Sequence, residues 1–105
     1  MYARTTLLEI DTMRIGPADA SALFAHEVLP DLREQPGYEG AVALITEEGK
    51  GLIATFWETE DEAQDASGFA SDELERFMTI FRAPPGREVY EVAVADLPEE
   101  LSLRR

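Results

Sequence analysis

The sequence predicts an α+β domain, a four-stranded antiparallel sheet with two helices on one face, in the order βαββαβ. Three observations carry this. Four β-prone runs are separated in turn by a helical pattern, a glycine-containing hairpin and a second helical pattern. The third run, Gly51 to Trp57, passes straight into a helix-start signal, Thr59-x-x-Glu62. Two helical crossovers around a hairpin then leave the ferredoxin-like arrangement as the un-knotted solution.

Tyr2 to Ile10, rich in Thr, Leu and Tyr, reads as the first strand. Gly16-Pro17 opens the first helix, because glycine is an acceptable N-cap and proline suits the first helical position. Ala20, Leu23, Phe24, Val28 and Leu32 recur at helical spacing towards Glu34, and Pro30 should end or kink the regular part near Leu29. Gln35-Pro36-Gly37 stops the helix. Tyr38 to Thr46 is the second strand, Glu47 to Gly51 the turn, and Leu52 to Trp57 the third strand. The second helix is expected from about Glu60 to Phe81. Gly68 should break it, with Ser71 recapping a second segment. Pro84-Pro85-Gly86 ends that region. Glu88 to Ala95 is the fourth strand, which closes one domain over residues 1–96 and leaves 97–105 as a tail with at most one helical turn from Pro98.

The strands carry apolar residues on both parities, most clearly in Gly40 to Ile45, Leu52 to Trp57 and Val92 to Ala95. An antiparallel sheet with one wet face should alternate instead. Helices cover one face only, so the other needs a cover that the chain does not supply. A second copy, packed sheet to sheet across a two-fold axis, is the economical answer. A homodimer is therefore expected.

Composition narrows the function classes. The 105 residues suit one domain, and the 45% hydrophobic fraction is that of a globular protein. The formal net charge of −13, from 22 acidic against 9 basic residues, disfavours nucleic acid and anionic membrane surfaces as partners. Acids crowd Glu58 to Glu75, read here as a solvated helix face with carboxylates near a positive N-terminus. Without cysteine there is no disulfide or thiolate metal site. Met1 runs directly into the first strand with no charged-then-apolar leader, and no apolar run approaches a membrane span, so a cytoplasmic protein is expected.

Taken together, the βαββαβ order, the two-faced strands, the stretch LPDLREQPGYEGA (Leu29 to Ala41) and the stretch FWETEDEA (Phe56 to Ala63) resemble the antibiotic biosynthesis monooxygenase superfamily of dimeric α+β barrels. The likeness covers Met1 to about Ala95. Its two motifs mark a helix end and a strand-to-helix junction, so the resemblance implies fold and dimer before it implies chemistry. Members include cofactor-free oxygenases of aromatic polyketides, quinol oxygenases, haem-degrading enzymes and small proteins of unassigned activity. The haem-degrading branch carries a tryptophan and a ligating histidine on the second helix and an asparagine near the first strand. This chain has no Trp or His after Trp57 and no asparagine at all, so that mechanism is not expected. The missing asparagine also weakens the comparison with polyketide oxygenases that hold substrate through an amide. What the resemblance implies is a small cofactor-free oxygenase-like protein that binds an aromatic or quinone-like molecule. The alternative is a non-catalytic dimeric domain that binds a small molecule or a protein.

The candidate residues are few. His26 is the only histidine, a candidate general base that helical phase places near the face of Arg33, away from Phe24, Val28 and Leu32. Trp57 and Phe56 must point to opposite sides of the sheet. Trp57 is the candidate wall of an aromatic pocket, with Phe24, Phe77, Phe81 and Met78 to complete it, unless all are ordinary core. Arg4 could orient an anionic substrate oxygen or could pair across strands with Glu91. No His-x-x-His or His-x-x-x-His spacing marks a metal site, and neither a phosphate loop nor a nucleophilic triad is present.

Overall fold

The computed structural model describes residues 1–76, 80–81 and 86–98. β1 (Tyr2–Glu9), β2 (Tyr38–Ile45), β3 (Lys50–Trp57) and β4 (Gly86–Glu91) form one antiparallel sheet in the order β2-β3-β1-β4. That is the ferredoxin-like order. The first helical region comprises α1 (Pro17–Leu23), a π-helical segment (Phe24–Val28) and α2 (Leu29–Leu32); the second is α3 (Glu60–Arg76). α3 packs on β1, β3 and β4, and α1 packs on β2.

The first helix begins as its sequence requires. Gly16 is extended, Pro17 supplies the first helical residue, and the Gly16 carbonyl accepts the Ala20 N–H at 3.0 Å. The irregularity expected at Pro30 lies one turn earlier, as the π segment. Proline offers no N–H, and its ring crowds the carbonyl four residues back, that of His26; a widened turn from Phe24 to Val28 relieves this without ending the helix. Beyond Leu32, the N–H groups of Arg33, Glu34 and Gln35 still bond back, and Gly37 turns the chain with φ +78°.

A bulge sets the far end of β2. Tyr38 lies opposite Trp57 and Gly40 opposite Phe56, so Glu39 is the extra residue. Strict alternation would put Tyr38 on the same side as Gly40. The bulge instead turns it to the side of Trp57, and the two rings meet edge to face, with centroids 5.9 Å apart at 78°. The hairpin closes on Thr46, whose Oγ1 accepts the Lys50 N–H at 3.1 Å.

Three expectations are corrected. α3 runs unbroken through Gly68 to Arg76, so Ser71 does not recap a second segment. The helix absorbs the glycine because Ala63 and Ala66 before it are buried in the core and Phe69 after it packs on the same core, which outweighs a cost of about 1 kcal/mol. Phe81 is not helical: it forms a β-bridge with Ile10, and the Asp11 N–H bonds the Ile80 carbonyl at 2.7 Å. β4 starts earlier and ends earlier than expected. Its ladder with β1 closes at Tyr2↔Glu91, followed by one bond from the Val92 N–H to the Met1 carbonyl at 3.0 Å. Ala93 to Ala95 therefore lie beyond the partner strand, outside β4 and exposed. The expected helical turn of the tail falls mostly outside the described residues.

The two faces differ as the apolar parity requires. Trp57, Leu32, Ala63 and Ala66 form the core between sheet and helices. On the opposite face Leu7 and Leu44 are each 59% exposed and Tyr90 is 54% exposed. Their register partners Leu52 and Ala3 lie on the same uncovered face. Phe56 lies there too, across the sheet from Trp57.

Candidate functional site

Between sheet and helices lies a cavity of about 140 Å³. β1 and β3 supply its floor, the π segment and α1 one wall, and α3 another. The floor follows directly from register. Arg4 pairs with Thr55 and Thr6 with Ile53, and all four side chains share the helix-facing parity of Trp57. Phe24 and Val28 reach the cavity from the π segment, and Ala66, Phe69 and Glu73 from α3. Ile80 and Phe81 line it where the chain returns to Ile10.

Trp57 is 1% exposed and is both core and cavity wall. Its indole N–H donates to Thr55 Oγ1 at 2.8 Å, and the Thr55 hydroxyl reaches the Arg4 carbonyl at 3.4 Å. The tryptophan is thereby tied to both floor strands, with its buried polar atom satisfied. Tyr38, packed on its edge, has its phenol pKa raised by burial, an effect that Arg33 partly offsets.

The junction behind Trp57 is fixed by the capping box. The Glu62 N–H donates to Thr59 Oγ1 at 3.1 Å, while the threonine hydroxyl donates to Glu62 Oε1 at 3.0 Å. The glutamate thus serves the hydroxyl, and its carboxylate lies over Gly37 in the space where a side chain there would project. The Glu58 N–H bonds the Gly37 carbonyl at 2.9 Å, which ties the end of the first helical region to the start of the second.

The candidate residues separate cleanly. Trp57, Phe24, Phe81 and Arg4 come together around the cavity. Phe77 and Met78 lie outside the described residues. His26 is exposed on the π segment and is not among the cavity-lining side chains. Arg4 is 7% exposed and stands between Thr55 and Val89; Glu91 lies opposite Tyr2 instead, so the cross-strand pairing expected for Arg4 and Glu91 is not the register adopted.

Glu73 is the lining residue that sequence reasoning missed. It is the one carboxylate facing the cavity among the described residues, and its side chain is 13% exposed. Arg76 Nη1 holds both its oxygens, at 3.0 and 3.3 Å, and Arg76 also reaches Glu27 on the π segment at 3.7 Å. The signal is present: Glu73 continues the inward stripe of Ala66 and Phe69 at helical spacing, although the run of acids around it reads locally as solvated surface.

Comparison with solved structures places this architecture. A protein of unknown function from Nitrosomonas europaea, NE2512, superposes with a TM-score of 0.72 at 22% identity, covering 92% of this chain and 93% of that one. A monooxygenase from the gene ActVA-Orf6 of Streptomyces coelicolor, in complex with the ligand Nanaomycin D, gives 0.69 at 20% identity, covering 93% and 92%. SnoaB, a cofactor-independent oxygenase from Streptomyces nogalater, gives 0.67 at 16% identity, covering 93% and 97%. This chain has their fold. No protein-family model and no curated protein matches the sequence. The fold expected from the resemblance is thus the fold observed, and function has to be argued from the cavity.

Proposed function

We propose that this chain is a small, cofactor-free oxygenase-like member of the antibiotic biosynthesis monooxygenase superfamily, and that it binds an aromatic or quinone-like molecule between sheet and helices. The observation that carries the reading is the cavity itself: apolar and aromatic walls with a few polar side chains, the usual make-up of a small-molecule site. An apolar cavity of about 150 Å³ accepts a benzene-sized guest, so a space of about 140 Å³ suits a compact planar ligand. Trp57, Phe24 and Phe81 offer ring surfaces, and Arg4 offers a cation to an oxygen that gains negative charge. In such chemistry the reduced substrate supplies electrons to dioxygen, and the protein binds, desolvates and orients it. His26 lies outside this reading. Two copies joined through the uncovered sheet faces form the proposed working unit.

A second reading, a dimeric binding domain without catalysis, is favoured by the absence of a histidine from the cavity lining among the described residues. Calorimetry and oxygen uptake test both readings. Saturable binding of 1,4-naphthoquinone, weakened in Trp57→Phe, supports the cavity as a ligand site. Accelerated oxygen consumption with the corresponding hydroquinone supports the oxygenase; binding without acceleration supports the second reading, and no binding rejects the cavity as an aromatic-ligand site and leaves the second reading as the better one.

A further inference from the structure

We infer that Glu73 makes this cavity selective for aromatic ligands that carry a ring hydroxyl, by accepting the hydrogen bond of that hydroxyl. This rests on the cavity being the ligand site proposed above. An ordinary i,i+3 pair such as Glu73–Arg76 lies in solvent, where both side chains are mobile and the pair contributes little. Here the two members differ: Arg76 is 48% exposed and Glu73 only 13%. The acid is turned inward, one turn beyond Phe69 on the stripe that meets the sheet. The tether from Arg76 to Glu27 joins α3 to the π segment, so the carboxylate is held between two walls of the cavity.

The chemistry follows from that placement. An ionised carboxylate is purely an acceptor, with about four lone-pair sites. Arg76 approaches both oxygens through one nitrogen, which leaves acceptor capacity directed elsewhere. Apolar neighbours such as Phe69 and Ala66 strengthen any hydrogen bond formed there. A phenolic O–H entering the cavity is the matching donor. A purely hydrocarbon ring of the same shape would displace water from Glu73 and return nothing.

The test uses p-cresol and p-xylene, which differ by one hydroxyl in place of a methyl. Each is titrated by NMR chemical shifts into the wild-type chain, Glu73→Leu and Glu73→Gln, with circular dichroism as a check on folding. The wild type should bind p-cresol at least about tenfold more tightly, the lower end expected for a hydrogen bond to a charged group. Glu73→Leu should reverse the preference, since a buried hydroxyl without an acceptor is penalised. Glu73→Gln, which keeps a neutral acceptor, should retain a reduced preference. An undiminished preference for p-cresol in either variant overturns the assignment. Equal binding of the two probes to the wild type overturns it while leaving the cavity a ligand site. Binding of neither overturns both.

Discussion

Gly37 is where backbone conformation and side-chain packing demand the same residue. Its φ of +78° favours glycine, and the Glu62 carboxylate occupies the space of any Cβ. Gly37→Ala should therefore destabilise the fold by more than the roughly 1–2 kcal/mol of a left-handed alanine alone, because the capping box must also give way. Chemical denaturation checks this, and an unchanged midpoint would contradict the close packing of turn and helix start. The Pro-Gly pair and the Thr-x-x-Glu box were both legible in the sequence as local signals. That they touch was not, because nothing local brings residue 37 beside residue 62. Arg4 shows the same limit: its type announced a polar group in an apolar strand, but only register with Thr55 and Val89 shows what surrounds it.

At the scale of elements, α3 is the informative case. A glycine in mid-helix reads locally as a break, yet the helix continues, because Ala66 before it and Phe69 after it both pack on the core. Gly68 is exposed, with open space where a Cβ would project. Gly68→Ala should thus raise stability by about 0.8–1 kcal/mol, seen as a higher thermal midpoint; a lower one would contradict a continuous helix there. The π segment teaches the converse. Pro30 signalled an irregularity correctly, but the widened turn that accommodates it lies upstream, where Phe24 and Val28 reach the cavity. β2 was legible as a strand and its bulge was not, since one unpaired residue, Glu39, leaves little trace in a pattern of period two.

For the whole molecule, the uncovered sheet face governs behaviour in solution. Leu7, Leu44 and Tyr90 form an apolar surface that isolated soluble chains seldom expose, and a second copy would bury it. Light scattering at micromolar concentration should give the mass of two chains, and Leu7→Lys should give a monomer or a poorly folded chain. Leu7 lies within the ladder of β1, whereas the apolar residues after Glu91 lie beyond β4 and do not test this face. A folded wild-type monomer would contradict the dimer. The apolar residues of that face were legible because they depend only on which parities are apolar. The cavity was not, because it depends on how far two helices stand from a sheet. The central claim is that this cavity receives an aromatic ligand against Trp57, and as the only tryptophan Trp57 reports on that spot alone. The most direct measurement is its fluorescence during titration with 1,4-naphthoquinone, corrected for absorbance. The account predicts saturable quenching, displaced by a non-quenching phenol. Quenching that stays linear with concentration, or none at all, would mean that Trp57 is sealed core and that no ligand reaches it.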